Sequence, residues 1–179
     1  MSYIVIILLI AVAIAAAYFV YNALFDADYR ERWKNEAPPE WADMYDNFFT
    51  STPPGPVFDN MLKTAWTLNS ALQNQGFNLA GVDFGYRDPV VNTRVGGAVR
   101  SKHMSGEAID FWTDRKLSPG EMANLGLHLN SQGLRVIFYP FGPSRGGRAI
   151  HVQPGTYVYY ERKTKKKSYT TSYSEAENS

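Results

Sequence analysis

The chain has 179 residues, of which 45% are apolar and 15% aromatic, with a formal net charge of +1 and no cysteine. That length and apolar content suffice for one folded domain, and the near-zero charge removes the electrostatic reason to expect a nucleic-acid partner. The lack of cysteine excludes a disulfide framework and a thiolate metal site, and leaves the compartment to be argued from other features.

The run from Tyr3 to Phe25 is apolar apart from Asn22 and its tyrosines, and it carries no charge. As a helix it would extend about 34 Å, enough to cross the hydrocarbon core of a bilayer. Tyr18, Phe19 and Tyr21 lie near one end, where interfacial aromatics are favoured. A cleaved signal peptide is the rival, with Ala15-Ala16-Ala17 as its small-residue site. No Lys or Arg precedes the run, and it continues past those alanines, which favours a retained anchor over residues 1–25. The lipid bilayer is then a partner through residues 3–25. Arg30, Arg32 and Lys34 follow the span and by the positive-inside bias would hold the rest of the chain in the cytoplasm. Asp26, Asp28 and Glu31 interleave with them.

Residues 26–56 are polar and proline-rich, with Pro38-Pro39 and Ser51-Thr52-Pro53-Pro54-Gly55-Pro56. This composition predicts a stalk with a short helix at 40–49, holding a domain clear of the membrane. From Val57, Met61, Leu62, Ala65, Trp66, Leu68 and Leu72 recur at helical spacing, predicting an amphipathic helix to Gln75 with Gly76 at its C-cap. Ser118-Pro119-Gly120-Glu121 reads as a capping box with proline at the first helical position. The helix it opens runs to about Gln132 and is closed by Gly133. Strands are predicted at 108–112, 134–139, 149–153 and 157–161, separated by glycine-rich turns at 95–97 and 143–147. After Glu161 a basic run, Arg162-Lys163-Thr164-Lys165-Lys166-Lys167, leads into a Ser/Thr/Tyr tail, so 162–179 is expected to be solvated and disordered.

The expected fold is α+β: a small, mostly antiparallel sheet flanked by helices, preceded by one transmembrane helix. The domain occupies 57–161, and no internal repeat is visible.

The chemistry concentrates in Ser101-Lys102-His103-Met104-Ser105-Gly106-Glu107-Ala108-Ile109-Asp110 and in Ile150-His151-Val152. Two imidazoles and one carboxylate form the donor set that leaves zinc one open position. His103 would close a loop, Asp110 would project from the following strand, and Gly106 would let the backbone turn between them. His151 would come from a neighbouring strand. Such spacing also occurs in chains without metal, where the histidine is a satisfied loop residue. His128, the third histidine, sits on a helix with no second ligand at useful spacing.

The surroundings add specificity. Gly85-Tyr86-Arg87-Asp88-Pro89, then Asn92-Thr93-Arg94-Val95-Gly96-Gly97-Ala98, then the Ser101 to Asp110 segment, then Tyr139-Pro140 and Ile150-His151-Val152, follow one another in order. Over 57–153 this closely resembles the M15 family of zinc peptidases: D-alanyl-D-alanine carboxypeptidases and phage endolysins that share a fold with the Hedgehog signalling domain. The resemblance implies a Zn2+ cofactor held by His103, Asp110 and His151, and a peptidoglycan stem peptide as substrate. It implies that Arg87 holds substrate or stabilises an oxyanion, a role suited to a fixed guanidinium. Ser101 matches a serine that orients the loop or contacts substrate.

One departure stands out. Members of the family supply an acidic general base three residues before the last histidine or two after it, and here those positions are Arg148 and Gln153. Glutamine can hold water by hydrogen bonds but cannot take its proton. Gln153 is thus the residue assigned to that catalytic position, with Glu107 the nearest acid in sequence.

These features imply a membrane-anchored zinc peptidase of the cell envelope, bacterial or phage. A noncatalytic wall-binding or virion membrane protein that keeps the fold and metal site is the alternative. A cytoplasm-facing dipeptidase is the third reading, permitted by the charge bias.

Overall fold

A computed structural model describes residues 3–139 and 149–155, and the backbone of 158–161 and 167–170. Its first element, α1 (Tyr3–Glu36), is a single helix of 34 residues. The apolar run forms its N-terminal part, and its described side chains between Tyr3 and Phe25 are exposed. A window of this helix reaches a mean hydropathy of 2.9 with none of it buried, so it is long and apolar enough to cross a membrane, a property that anchors and signal sequences share.

The helix does not end where the apolar run ends. Tyr29 and Trp33, one turn apart on one face, are buried in the domain core. Pro38-Pro39 ends α1 and opens a 3-10 turn at Pro39–Trp41, and α2 (Tyr45–Phe48) follows. Trp41, Tyr45, Phe48 and Phe49 are buried as well. The Trp33 ring lies 4.6 Å from Phe48 and 5.3 Å edge-on from Phe49, and Phe49 stacks at 5.4 Å on Phe58 of the next helix. The Trp33 indole N–H donates to the Trp41 carbonyl at 2.9 Å. The expected stalk over 26–56 is therefore corrected: this segment supplies an aromatic half of the core. Its polar residues pair on the outside, Arg30 with Asp26 and Asp46, and Arg32 with Glu36 and Asp59. The short helix expected at 40–49 is split into the 3-10 turn and α2.

Helix α3 (Gly55–Asn74) matches the amphipathic pattern and buries Phe58, Met61, Ala65, Leu68 and Leu72. Gly76 has a φ of 70°, and the amides of Gly76 and Phe77 bond back to the carbonyls of Gln73 and Leu72. That paired closure, with Leu72 and Phe77 both buried, is a Schellman end.

The chain then forms β1 (Leu79–Phe84), α4 (Pro89–Arg94), β2 (Ile109–Thr113), α5 (Pro119–Ser131), β3 (Leu134–Phe138) and β4 (Ile150–Pro154). The capping box of α5 is present, with the Ser118 hydroxyl and the Glu121 carboxylate each bonding the other's amide. Two further strands, β5 (Val158–Glu161) and β6 (Lys167–Thr170), complete a sheet ordered β1-β2-β4-β3-β5-β6 among the described residues. Every neighbouring pair is antiparallel except β3 with β5. The α+β expectation holds. β6 corrects the expectation that 162–179 is unstructured throughout, since Lys167 to Thr170 pair with β5. The turn expected at 143–147 and Pro140 of the Tyr139-Pro140 turn lie outside the described residues.

Strands β2 and β4 lie side by side in the middle of the sheet. Ile109, Phe111, Ile150 and Val152 point to one face and are buried there. Alternation turns Asp110 and His151 to the other face, and the register sets them directly opposite each other.

Candidate metal centre

His103 comes from a 3-10 turn (Lys102–Ser105) that the sequence closes at both ends. Ser101 caps it by accepting from the His103 amide at 3.4 Å. Gly106 ends it in the left-handed region, φ 71°, where a β-carbon would strike the Val57 carbonyl. Both restraints fall on the glycine that the sequence placed between the two ligands. Replacing Gly106 with alanine should destabilise the fold by about 1–3 kcal/mol, read as a lowered midpoint in thermal unfolding.

Asp110 of β2, His151 of β4 and His103 converge, with one donor atom from each lying within 4.8 Å of the others. His151 Nδ1 is 2.6 Å from Asp110 Oδ1, and His103 Nε2 is 3.2 Å from Asp110 Oδ2. The far side of each ring defines its tautomer. His103 Nδ1 lies 2.6 Å from the Gly85 carbonyl, which can only accept, so Nδ1 carries the hydrogen. His151 Nε2 lies 2.8 Å from Gln153 Oε1, which accepts from it in the tautomer that leaves Nδ1 for a metal. In these tautomers each ring keeps one nitrogen for a metal, and both of those nitrogens face the Asp110 carboxylate.

With both rings neutral in these tautomers, three acceptors face one another, and a cation among them relieves the repulsion. His103 Nε2 is buried with no hydrogen-bond partner, an arrangement that costs about 1–3 kcal/mol if nothing compensates it. Burial works against the Asp110 charge, but where the two imidazoles turn hydrogens toward it they outweigh burial and hold the carboxyl well below the usual range, a place that a cation can take over. Asp110 is thus an anion. Two neutral nitrogens and one carboxylate, each imidazole oriented through its second nitrogen, suit a divalent transition metal.

The other expected residues surround this group. Arg87 follows β1; its amide donates to the His103 carbonyl at 3.2 Å. Its guanidinium, nearly buried at 12% exposure, lies 4.0 Å from Asp110 Oδ2 and over the Phe84 ring. Burial lowers its pKa, and the Asp110 charge offsets part of that effect. Ser101 bears on the site only through the His103 turn. Gln153, expected to hold water at the position of a base, has its amide oxygen engaged by His151 instead. Glu107 is held by Lys102 Nζ at 2.7 Å and Ser105 Oγ at 2.6 Å, and these bonds lower its pKa. His128 lies on α5, 3.5 Å from the Asn74 amide of α3, and takes no part. Arg148 lies outside the described residues. Among the described residues no further carboxylate joins the three ligands. Sequence reasoning missed the Gly85 carbonyl, because a main-chain acceptor has no side-chain signature.

The Peptidase M15 family profile matches residues 38–152, which includes His103, Asp110 and His151. No curated protein matches the sequence. The matched region begins at Pro38, within the aromatic segment that the core has absorbed, and ends one residue past His151. With most of the chain covered and the ligand trio assembled across two strands and a capped turn, the chain belongs to the Peptidase M15 family of metallopeptidases.

Proposed function

We propose that the protein is a membrane-anchored zinc peptidase hydrolysing peptide bonds next to D-amino acids in peptidoglycan stem peptides, in wall remodelling or in phage lysis or entry. The observation that supports it most is the convergence of His103, Asp110 and His151, one ligand atom of each within 4.8 Å of the others. His103, Asp110 and His151 would hold the ion. When bound, zinc supplies Lewis acidity, polarising a peptide carbonyl and making water nucleophilic near neutral pH. Arg87 is fixed beside the ligands with Nε buried and without a hydrogen-bond partner, so it can receive a substrate carboxylate or a developing oxyanion. Ser101 holds the His103 turn in place. Gln153 keeps His151 in the tautomer that leaves Nδ1 free.

Peptide hydrolysis also needs a group to carry a proton to the leaving amine. Gln153 cannot do so, and Glu107 is engaged elsewhere. Slow turnover follows from that deficit. The same residue favours a second reading, a noncatalytic wall-binding or virion membrane protein that retains its metal. Zinc-replete protein incubated with a stem peptide ending in D-alanyl-D-alanine should release D-alanine slowly, or cut a cross-link, and a chelator should stop it. Full zinc occupancy with no turnover would select the second reading.

The same proposal places α1 as a retained anchor with the domain outside the cytoplasm. The three bases after the span oppose that orientation. Proteolysis of the domain in intact cells, without spheroplast lysis, is the expected result, and protection until lysis would reverse it. Replacing Gln153 with alanine should weaken zinc binding about 10- to 100-fold by freeing the His151 ring, with the fold unchanged. Competition against a chelator of known affinity measures it.

A further inference from the structure

The domain overlaps the apolar run instead of beginning beyond it. A groove of about 700 Å³ lies between α1 and the domain, with Tyr18, Tyr21 and Phe25 on the helix side and Pro54, Tyr86 and Asp88 on the domain side. Across α1, a second hollow of about 360 Å³ runs from Phe19 and Ala23 to Tyr45 and Thr50. The domain therefore flanks α1 from Tyr18 to Phe25, a stretch of about 10 Å along the helix axis.

That overlap determines where the domain lies relative to a bilayer. The apolar run extends about 34 Å against a hydrocarbon core of about 30 Å, an excess of less than one turn, so Phe25 lies at the edge of the headgroup layer and Tyr18 at the outer hydrocarbon. Helix α1 continues unbroken from there, with Tyr29 and Trp33 buried in the core one and two turns later. Asp26 reinforces the junction by accepting from Tyr45 and Thr52 hydroxyls at 3.1 Å each, and by pairing with Arg30. No hinge separates span from domain. Two residues after Asp88 of the groove, Val90 at the start of α4 is an apolar side chain 76% exposed.

We infer that this face of the domain, the 51–54 loop and the start of α4, is seated in the headgroup layer, and that a bilayer glycerophospholipid occupies the groove. The inference rests on the reading of α1 as a retained span. The groove is continuous with the surface of the span, and its tyrosines are amphipathic in the way that interfacial side chains are.

The chain has no native cysteine, which allows single spin labels to report depth. Four variants of the full chain, Ile10→Cys, Pro54→Cys, Val90→Cys and Asn124→Cys, would be labelled and reconstituted in phosphatidylcholine–phosphatidylglycerol vesicles. Collision with oxygen and with a water-soluble nickel chelate on both faces would then be measured. Labels at 54 and 90 should collide with nickel at least about threefold less than the label on exposed residue 124, as headgroup-level burial requires. The label at 10 should favour oxygen strongly. Equal nickel access at 54, 90 and 124, with residue 10 immersed, would overturn the docked face while leaving the anchor in place. Failure of residue 10 to immerse would overturn the span and the docked face together. Spin–spin broadening at 54 that disappears on dilution with unlabelled protein would show a second copy in the groove, and would overturn the lipid assignment.

Discussion

Replacement of Asp110 with asparagine is expected to abolish zinc binding and lower kcat/KM by about 10³-fold, while leaving the metal-free fold as stable as before. Asp110 is the one carboxylate among the three ligands, and one nitrogen of each imidazole faces it. The amide of asparagine would offer hydrogens to those nitrogens and so satisfy the metal-free site without a cation. Loss of a metal's charge stabilisation removes several kcal/mol from the transition state; about 4 kcal/mol corresponds to about 10³-fold in rate. Saturating zinc should stabilise the native protein by about 4 kcal/mol at a thousandfold excess over Kd, raising its unfolding midpoint, and should not move that of the variant. An Asp110→Asn protein that still gained stability from zinc would show that the metal binds elsewhere.

Replacement of Trp33 with alanine should cost about 3–5 kcal/mol, on the scale of other buried tryptophans. Trp33 has no exposed surface, touches Phe48, Phe49 and Phe58, and bonds the Trp41 carbonyl through its indole. A loss of that size in a domain of this length should lower the melting midpoint by about 10–20 °C. A tryptophan on a solvated stalk would change stability by no more than about 0.5 kcal/mol. Thermal unfolding of the detergent-solubilised full chain separates the two outcomes.

Parts of the fold governed by local rules were legible in the sequence. Helix α3 declared itself by spacing, and α5 by its capping box. The strands around Asp110 and His151 showed as short apolar runs between turns. β1 did not, because Gly81 and Asp83 interrupt its alternation and its pairing with β2 shifts register twice. The region after the apolar run was misread because prolines and charges outweighed the aromatics in the composition. Tyr29 and Trp33 at helical spacing, with Trp41, Phe48 and Phe49 following, were the signal that a solvated stalk would not carry.

The site divides along the same line. Motif order brought forward His103, Asp110 and His151, and the structure brings these three together. The groups that orient the imidazoles were hidden, because the Gly85 carbonyl and the Gln153 oxygen act only through three-dimensional placement. Gln153 could be read from the chain as a missing acid. Only the folded sheet, with Gln153 two residues beyond His151 on the same strand face, puts it behind the ligand ring.

The most direct test is a crystal structure of zinc-loaded protein with anomalous data collected at the zinc edge. The expected result is one anomalous peak about 2.0–2.2 Å from His103 Nε2, His151 Nδ1 and an Asp110 oxygen. A peak away from these three side chains, or none from protein crystallised with saturating zinc, would contradict the proposed metal centre.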